Sequence, residues 1–222
     1  MNFDMKNTLK TLFVIFSILT ASAILAVDRN VASPSKAVIN MSNPPNIIAF
    51  NIIENALLAL KKLRKQNKVT PKSIETLIKT VLLPHIEINM AVYLTLKKHW
   101  SLLSKQQKKA FQQYITQSLI NDYAGILITY KQLDDIKISI NPKVRRKDNK
   151  AIVKLLIAFN DTQTPFKITL KMIHSDRWRV YDLVFSGVSL IKNYRAQFNS
   201  HIKRKGLDSL IKKINNKLNN NV

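Results

Sequence analysis

From Asn46 to Lys65 the apolar residues Phe50, Ile53, Leu57, Leu60 and Leu63 return every three or four positions, the spacing that lines up one face of an α-helix. Thr70-Pro71 then supplies an N-cap hydroxyl followed by a proline at the first helical position. A second helix is predicted from there to about Leu83, where Pro84 interrupts it. His85 to Trp100 reads as short helical pieces. Ser104 followed by Gln107 has the form of a capping box. It opens a long helix to about Lys131, with Phe111, Ile115, Leu119, Ile126 and Tyr130 along its apolar side. Gly125 lies inside that helix, unfavourable by about 1 kcal/mol unless something packs closely there.

After Asp135 the period changes. The runs IKISI, AIVKLLIAF, PFKITLKMI and WRVYDLVF are rich in β-branched and aromatic residues, and turn formers such as Asn141-Pro142, Asp148-Asn149 and Ser175-Asp176 separate them. Connections this short join antiparallel neighbours, so a meander of four strands is predicted. The last strand stops at Ser186-Gly187, and a helix follows at once from Val188 to near Gly206, a natural C-cap residue. Asp208 is placed to cap a final amphipathic helix built on Leu210, Ile211, Ile214 and Leu218. Helices, then strands, then helices make an α+β domain with helices packed on a four-stranded antiparallel sheet. One strand departs from simple alternation. Val153, Leu155, Ile157 and Phe159 are apolar on one side, and Ile152, Leu156 and Ala158 on the other. Either helices cover both faces of the sheet, or one face lines an apolar cavity.

The ends of the chain add a destination. Lys6 and Lys10 precede TLFVIFSILTASAILAV, Thr11 to Val27, a run without charge that ends in small residues. This is the form of a secretory signal peptide, cleaved after Ala23 or Ala26. The expected organisation is therefore a signal peptide over 1–26, a proline-bearing leader over 27–45, one domain over 46–218 and a tail over 219–222. With no cysteine in 222 residues, the domain must be held by its core, and thiol nucleophiles and thiolate zinc sites are excluded. Charge is lopsided, 36 Lys+Arg against 13 Asp+Glu for a net +23. That excess means either polyanionic partners or drift toward lysine. The basic clusters are scattered over nearly every element without any RRM, KH or helix-turn-helix signature, so nucleic acid is not the expected partner.

Catalytic constellations are missing. There is no G-x-S-x-G elbow, no glycine-rich phosphate loop and no H-E-x-x-H, and the whole chain has three glycines. His85, His99, His174 and His201 show no ligand spacing. No enzyme activity and no metal are expected. One residue stands out: Arg195 falls inside the apolar arc of the helix after Gly187, between Ile202 and Val188. A guanidinium there needs a compensating partner, either a carboxylate (Asp182 or Glu87) or the head group of a ligand.

The segment WRVYDLVFSGVSLIKNYRAQFNSHIKRKGLDSLIKKI, Trp178 to Ile214, resembles the C-terminal signature of the MlaC (toluene-tolerance auxiliary) family, W-x-V-Y-D-V, G-V-S-L, N-Y-R-x-Q-F and G-x-D-x-L-I in order. Upstream, LLPHIEINMAVYLTLKKHW is similar to the family's L-P-H-x-D block, with Glu87 where an aspartate is usual. The resemblance runs from about Ile47 to Leu218. It implies a periplasmic phospholipid carrier working between an inner-membrane Mla ABC-transporter complex and an outer-membrane lipoprotein/porin complex. The implied fold is a twisted antiparallel sheet with helices around a deep apolar pocket, an NTF2-like cone, with phospholipid as ligand and no cofactor. On that reading the walls are assigned to Leu82, Met90, Tyr93, Leu94, Tyr123, Leu127, Leu156, Phe166, Ile168, Leu170, Met172, Leu183 and Phe185. Two other classes share these features: an enzyme acting on an apolar substrate in such a cavity, and a secreted basic protein that binds membrane or nucleic acid through its surface.

Overall fold

Hydroxyl caps set where two of the helices begin. Thr70 Oγ1 accepts the Ser73 N–H at 3.2 Å while Ser73 Oγ accepts the Thr70 N–H at 2.9 Å. Ser104 and Gln107 make the same reciprocal pair, so both ends satisfy donors that a helix start leaves without partners. The computed structural model describes residues 44–129, 133–158, 166–185 and 187–220. Its helices are α1 (Pro45–Lys65), α2 (Pro71–Leu77), α3 (Ile88–Leu96), α4 (Lys105–Thr129), α5 (Leu190–Lys205) and α6 (Leu207–Asn219). The expected signal peptide and nearly all of the leader lie outside the described residues, as do Tyr130, Phe159 and the side chains of Tyr123 and Leu127.

The second helix is shorter than its pattern suggests. Its α-helical part closes at Leu77 and continues as a π-helical turn, Ile78–Leu82, and a 3₁₀ turn, Leu83–His85. Pro84 has no N–H to donate and its ring crowds the preceding turn, so the chain rewinds there. At the other end of the domain, Gly206 takes φ 82° and serves both α5 as C-cap and α6 as N-cap. Asp208 sits in the first turn of α6, not at its cap. There its charge still suits the positive end of the helix dipole.

The sheet has six strands where four were expected: β1 (Lys137–Ile140), β2 (Arg145–Lys147), β3 (Lys150–Ala158), β4 (Phe166–His174), β5 (Trp178–Phe185) and β6 (Val188–Ser189). The four expected strands are β1, β3, β4 and β5. β1 and β2 pair with opposite ends of β3, so together they form one broken edge. β2 escapes the sequence pattern because its three residues, Arg145, Arg146 and Lys147, are all exposed cations. β6 hides at the front of an apparent helix. Val188 pairs with Phe185 and Ser189 with Val184, so the final strand first folds back on itself and only then starts α5. Gly187 makes that reversal at φ 85°, a region side chains rarely adopt.

Register decides the two faces. On one face stand Val153, Leu155 and Ile157 of β3, Ile168 and Leu170 of β4, and Leu183 and Phe185 of β5. On the other stand Lys150, Lys154 and Leu156 of β3 with Lys167 and Lys171 of β4. A β-bulge at Lys171/Met172 opposes Met172 to Val180 and Lys171 to Asp182, leaving Tyr181 as the extra residue of β5. Three apolar clusters result. The sheet's apolar face packs on Ile48, Ala49 and Ile52 of α1. Helices α3 to α6 form a second cluster around Phe111, Tyr194, Phe198 and Ile214. A third joins Leu60 of α1, Ile74 of α2 and Ile120 of α4.

Candidate ligand-binding site

The apolar face of the sheet is fully buried at one end and half-buried at the other. Ala151, Val153, Leu155, Leu170, Met172 and Val180 are buried, largely under α1. Toward the far end of β3, the start of β4 and the end of β5, the same face carries Ile157, Phe166, Leu183 and Phe185, and each is only half-buried. Phe166 and Phe185 stack there, ring centroids 6.1 Å apart and planes 20° from parallel. At this end Ile138, Ile157, Phe166, Ile168 and Phe185 present hydrocarbon and aromatic carbon on the face, while Arg146 of β2 stands opposite Ala151 at the other end. Among the described residues, the side chains at the half-buried end of this face offer contact to apolar carbon.

Of the expected wall residues, Leu82, Phe166, Ile168, Leu170, Met172, Leu183 and Phe185 come together on or against this face. Leu170 and Met172 belong to its buried end. Leu156 does not join them. It pairs with Ser139 and Lys167 on the opposite face, which is the wet one. The places Leu156 was expected to take fall to its neighbours Leu155 and Ile157. Met90, Tyr93 and Leu94 lie on α3, whose Val92 and Leu96 point into the helical cluster. Tyr93 is 45% exposed and sets its ring edge-on to Trp100 at 6.0 Å, which puts it on the surface.

Arg195 takes neither carboxylate. Its Nε and Nη2 both donate to the main-chain carbonyl of Leu94, Nε at 2.8 Å. Leu94 is in the last turn of α3, where carbonyls have no helical donor, so the guanidinium closes the end of that helix from α5. The carboxylates are engaged elsewhere. Glu87 pairs with Arg179 at 3.1 Å, and its N–H donates to Val180, tying the start of α3 to β5.

Asp182 turns out to organise the joint, a role its place within a strand gave little reason to expect. Its side chain is 2% exposed and receives Lys171 Nζ at 2.8 Å, the Ser189 hydroxyl at 2.8 Å and the Ile191 N–H at 3.2 Å. Ser189 in turn accepts the Lys192 N–H as N-cap of α5. Asp182 is the register partner of Lys171, the last pair before the bulge. His85 lies where Arg177 donates to the Pro84 carbonyl at 3.1 Å. Burial, then the Arg177 charge, holds the His85 imidazole below its ordinary value. Among the described residues no group of three His, Asp or Glu is arranged to hold a metal ion, and no helix is long and apolar enough to cross a membrane.

This α+β arrangement is a known one. The solved structure of the phospholipid-binding protein from Ralstonia solanacearum, in complex with a phospholipid, shares it with a TM-score of 0.69 at 20% identity, covering 78% of this chain and 96% of that one. The fold is therefore that of a phospholipid-binding protein. The family model described as "MlaC protein" matches residues 51–216, and the chain belongs to the MlaC family. Two curated relatives agree. The intermembrane phospholipid transport system binding protein MlaC of Haemophilus influenzae is 24% identical over 151 residues, 66% of this chain and 69% of its own length. The toluene tolerance protein ttg2D of Pseudomonas putida is 23% identical over 151 residues, 67% and 68% of the two chains.

Proposed function

We propose that this protein is a periplasmic phospholipid carrier that lays acyl chains against the half-buried end of the apolar sheet face. It would shuttle lipid between an inner-membrane Mla ABC-transporter complex and an outer-membrane lipoprotein complex. The observation that carries the reading is the gradient along one sheet face, from the buried Val153 and Leu170 to the half-buried Ile157 and Leu183. Apolar area left on such a face gains free energy when hydrocarbon covers it. Membership of the MlaC family, and a relative named for intermembrane phospholipid transport, support lipid as that cover.

The energetics suit a carrier. Each buried CH₂ is worth about 0.8 kcal/mol, so a tail of about 16 carbons represents about 13 kcal/mol. A bilayer offers the same term, so the protein must match hydrocarbon with hydrocarbon for lipid to leave the membrane at all. Direction then comes from partners and their energy supply. Organic extraction of the purified protein followed by mass spectrometry is expected to yield two-chain phospholipid in stoichiometric amount. Leu183→Trp, at the half-buried end, is expected to lower that occupancy severalfold, and Leu156→Trp on the opposite face to leave it unchanged. A protein repeatedly free of lipid that also takes none from vesicles would overturn the reading.

A further inference from the structure

A second apolar surface lies outside the sheet. α3 ends abruptly: Lys97 takes φ 46°, and the chain turns into a 3₁₀ segment, Lys97–Leu102, that leads into α4. The corner this makes exposes Tyr93, edge-on to Trp100, and Leu102, two residues beyond Trp100 and 68% exposed. A single exposed apolar side chain is ordinary, whereas apolar side chains exposed together on one corner mark a contact surface. Lysines surround them. Lys97, Lys98, Lys105 and Lys109 are exposed, and Lys108 holds its ammonium 4.9 Å from the Trp100 ring centre. From Ile88 to Asn121 there is no carboxylate to balance them. The corner is also held in shape, because Arg195 grips the Leu94 carbonyl one turn before it.

We propose that this corner is an interfacial anchor for an anionic phospholipid surface. Tyr93 and Trp100 would lie at the head-group level, Leu102 would enter the acyl boundary, and the lysines would meet lipid phosphates. Trp and Tyr are the residues that favour the membrane–water boundary, and lysine stems lie along apolar surface while their ammonium groups stay in water. The rim favours lipid over a folded acidic partner, since protein interfaces are depleted in Lys and enriched in Arg, and this corner's rim is lysine throughout. The inference does not depend on what the sheet face holds, and lipid occupancy measured on the same samples keeps the two separate.

The chain has two tryptophans, so Trp178→Phe leaves Trp100 as the only reporter. With vesicles of phosphatidylglycerol and phosphatidylcholine at low salt, Trp100 emission is expected to shift to the blue and the protein to cosediment. Pure phosphatidylcholine and high salt are expected to abolish both. Leu102→Asp is expected to weaken vesicle binding by at least about tenfold, from lost apolar burial and an added repulsive charge. Leu58→Asp makes the same chemical change on α1, where Leu58 is 50% exposed, and is expected to bind like the parent. Absence of binding by the parent overturns the proposal. So does equal weakening by both aspartates, which would make net charge the whole effect. A crosslinker at position 102 that finds a protein while vesicles are ignored would assign the corner to a protein partner and overturn it as well.

Discussion

Replacing Asp182 by alanine tests whether a single buried carboxylate holds the sheet to the helical layer. The substitution strands the Ile191 N–H and the Ser189 hydroxyl, both buried, together with the Lys171 ammonium. Each buried group left without a partner costs about 1–3 kcal/mol. Lys171 is different: its side chain is 27% exposed and regains water, so its share is at most about 1 kcal/mol. Together these give a loss of about 2–7 kcal/mol, centred near 4. In a domain of this size each kcal/mol moves Tm by about 2–4 °C, so a fall near 10 °C is expected. Thermal melting followed by far-ultraviolet circular dichroism measures it. Asp182→Asn keeps the shape and one acceptor oxygen and is expected to lose about half as much. An alanine variant melting within about 3 °C of the parent would refute the joint as described.

Three further outcomes follow from the same geometry. Arg195→Ala removes two charged donors from the Leu94 carbonyl, and a loss of about 1.5–3 kcal/mol in urea unfolding is expected with lipid occupancy unchanged; a fall in occupancy at full stability would return Arg195 to the ligand. Gly187→Ala places a Cβ that meets nothing within 4 Å, so only the φ of 85° is penalised, and a loss of about 1–2 kcal/mol by chemical denaturation is expected. His85 is held neutral by burial, so the unfolded chain binds the proton more readily. Its contribution is present above the unfolded value of 6.5 and is lost as pH falls toward the lower folded value. Melting between pH 7.5 and pH 5 is expected to fall more steeply for the parent than for His85→Asn, and identical slopes would remove His85 from the account.

Much of this architecture can be read from the chain because local rules and tertiary packing agree. Thr70 and Ser104 cap where their spacing says, and the four longer strands sit where alternation puts them. The exceptions have physical causes. β2 has no apolar residue and exists only because β3 offers it an edge. β6 is two residues long, below any period, and the pairing of Val188 with Phe185 is what defines it. Leu156 lies on the face opposite the other expected strand wall residues; β3 is apolar on both sides, so its pattern did not separate them, although Lys150 and Lys154 share the parity of Leu156. Arg195 was legible as a problem and not as its solution, since a main-chain carbonyl leaves no trace in a sequence.

The separate apolar clusters bear on how such a protein endures an empty interior. The helical cluster around Phe111, Phe198 and Ile214 is separate from the cluster on the sheet's apolar face, and the Asp182–Ser189 hydrogen bond ties the last strand to the start of α5. On the proposed carrier reading, loss of an acyl tail from the sheet face would leave the helical cluster in place. Hydrogen exchange is expected to show α4 and α5 equally protected in the lipid-loaded and lipid-free protein, with the change confined to the strand ends near Ile157 and Phe185.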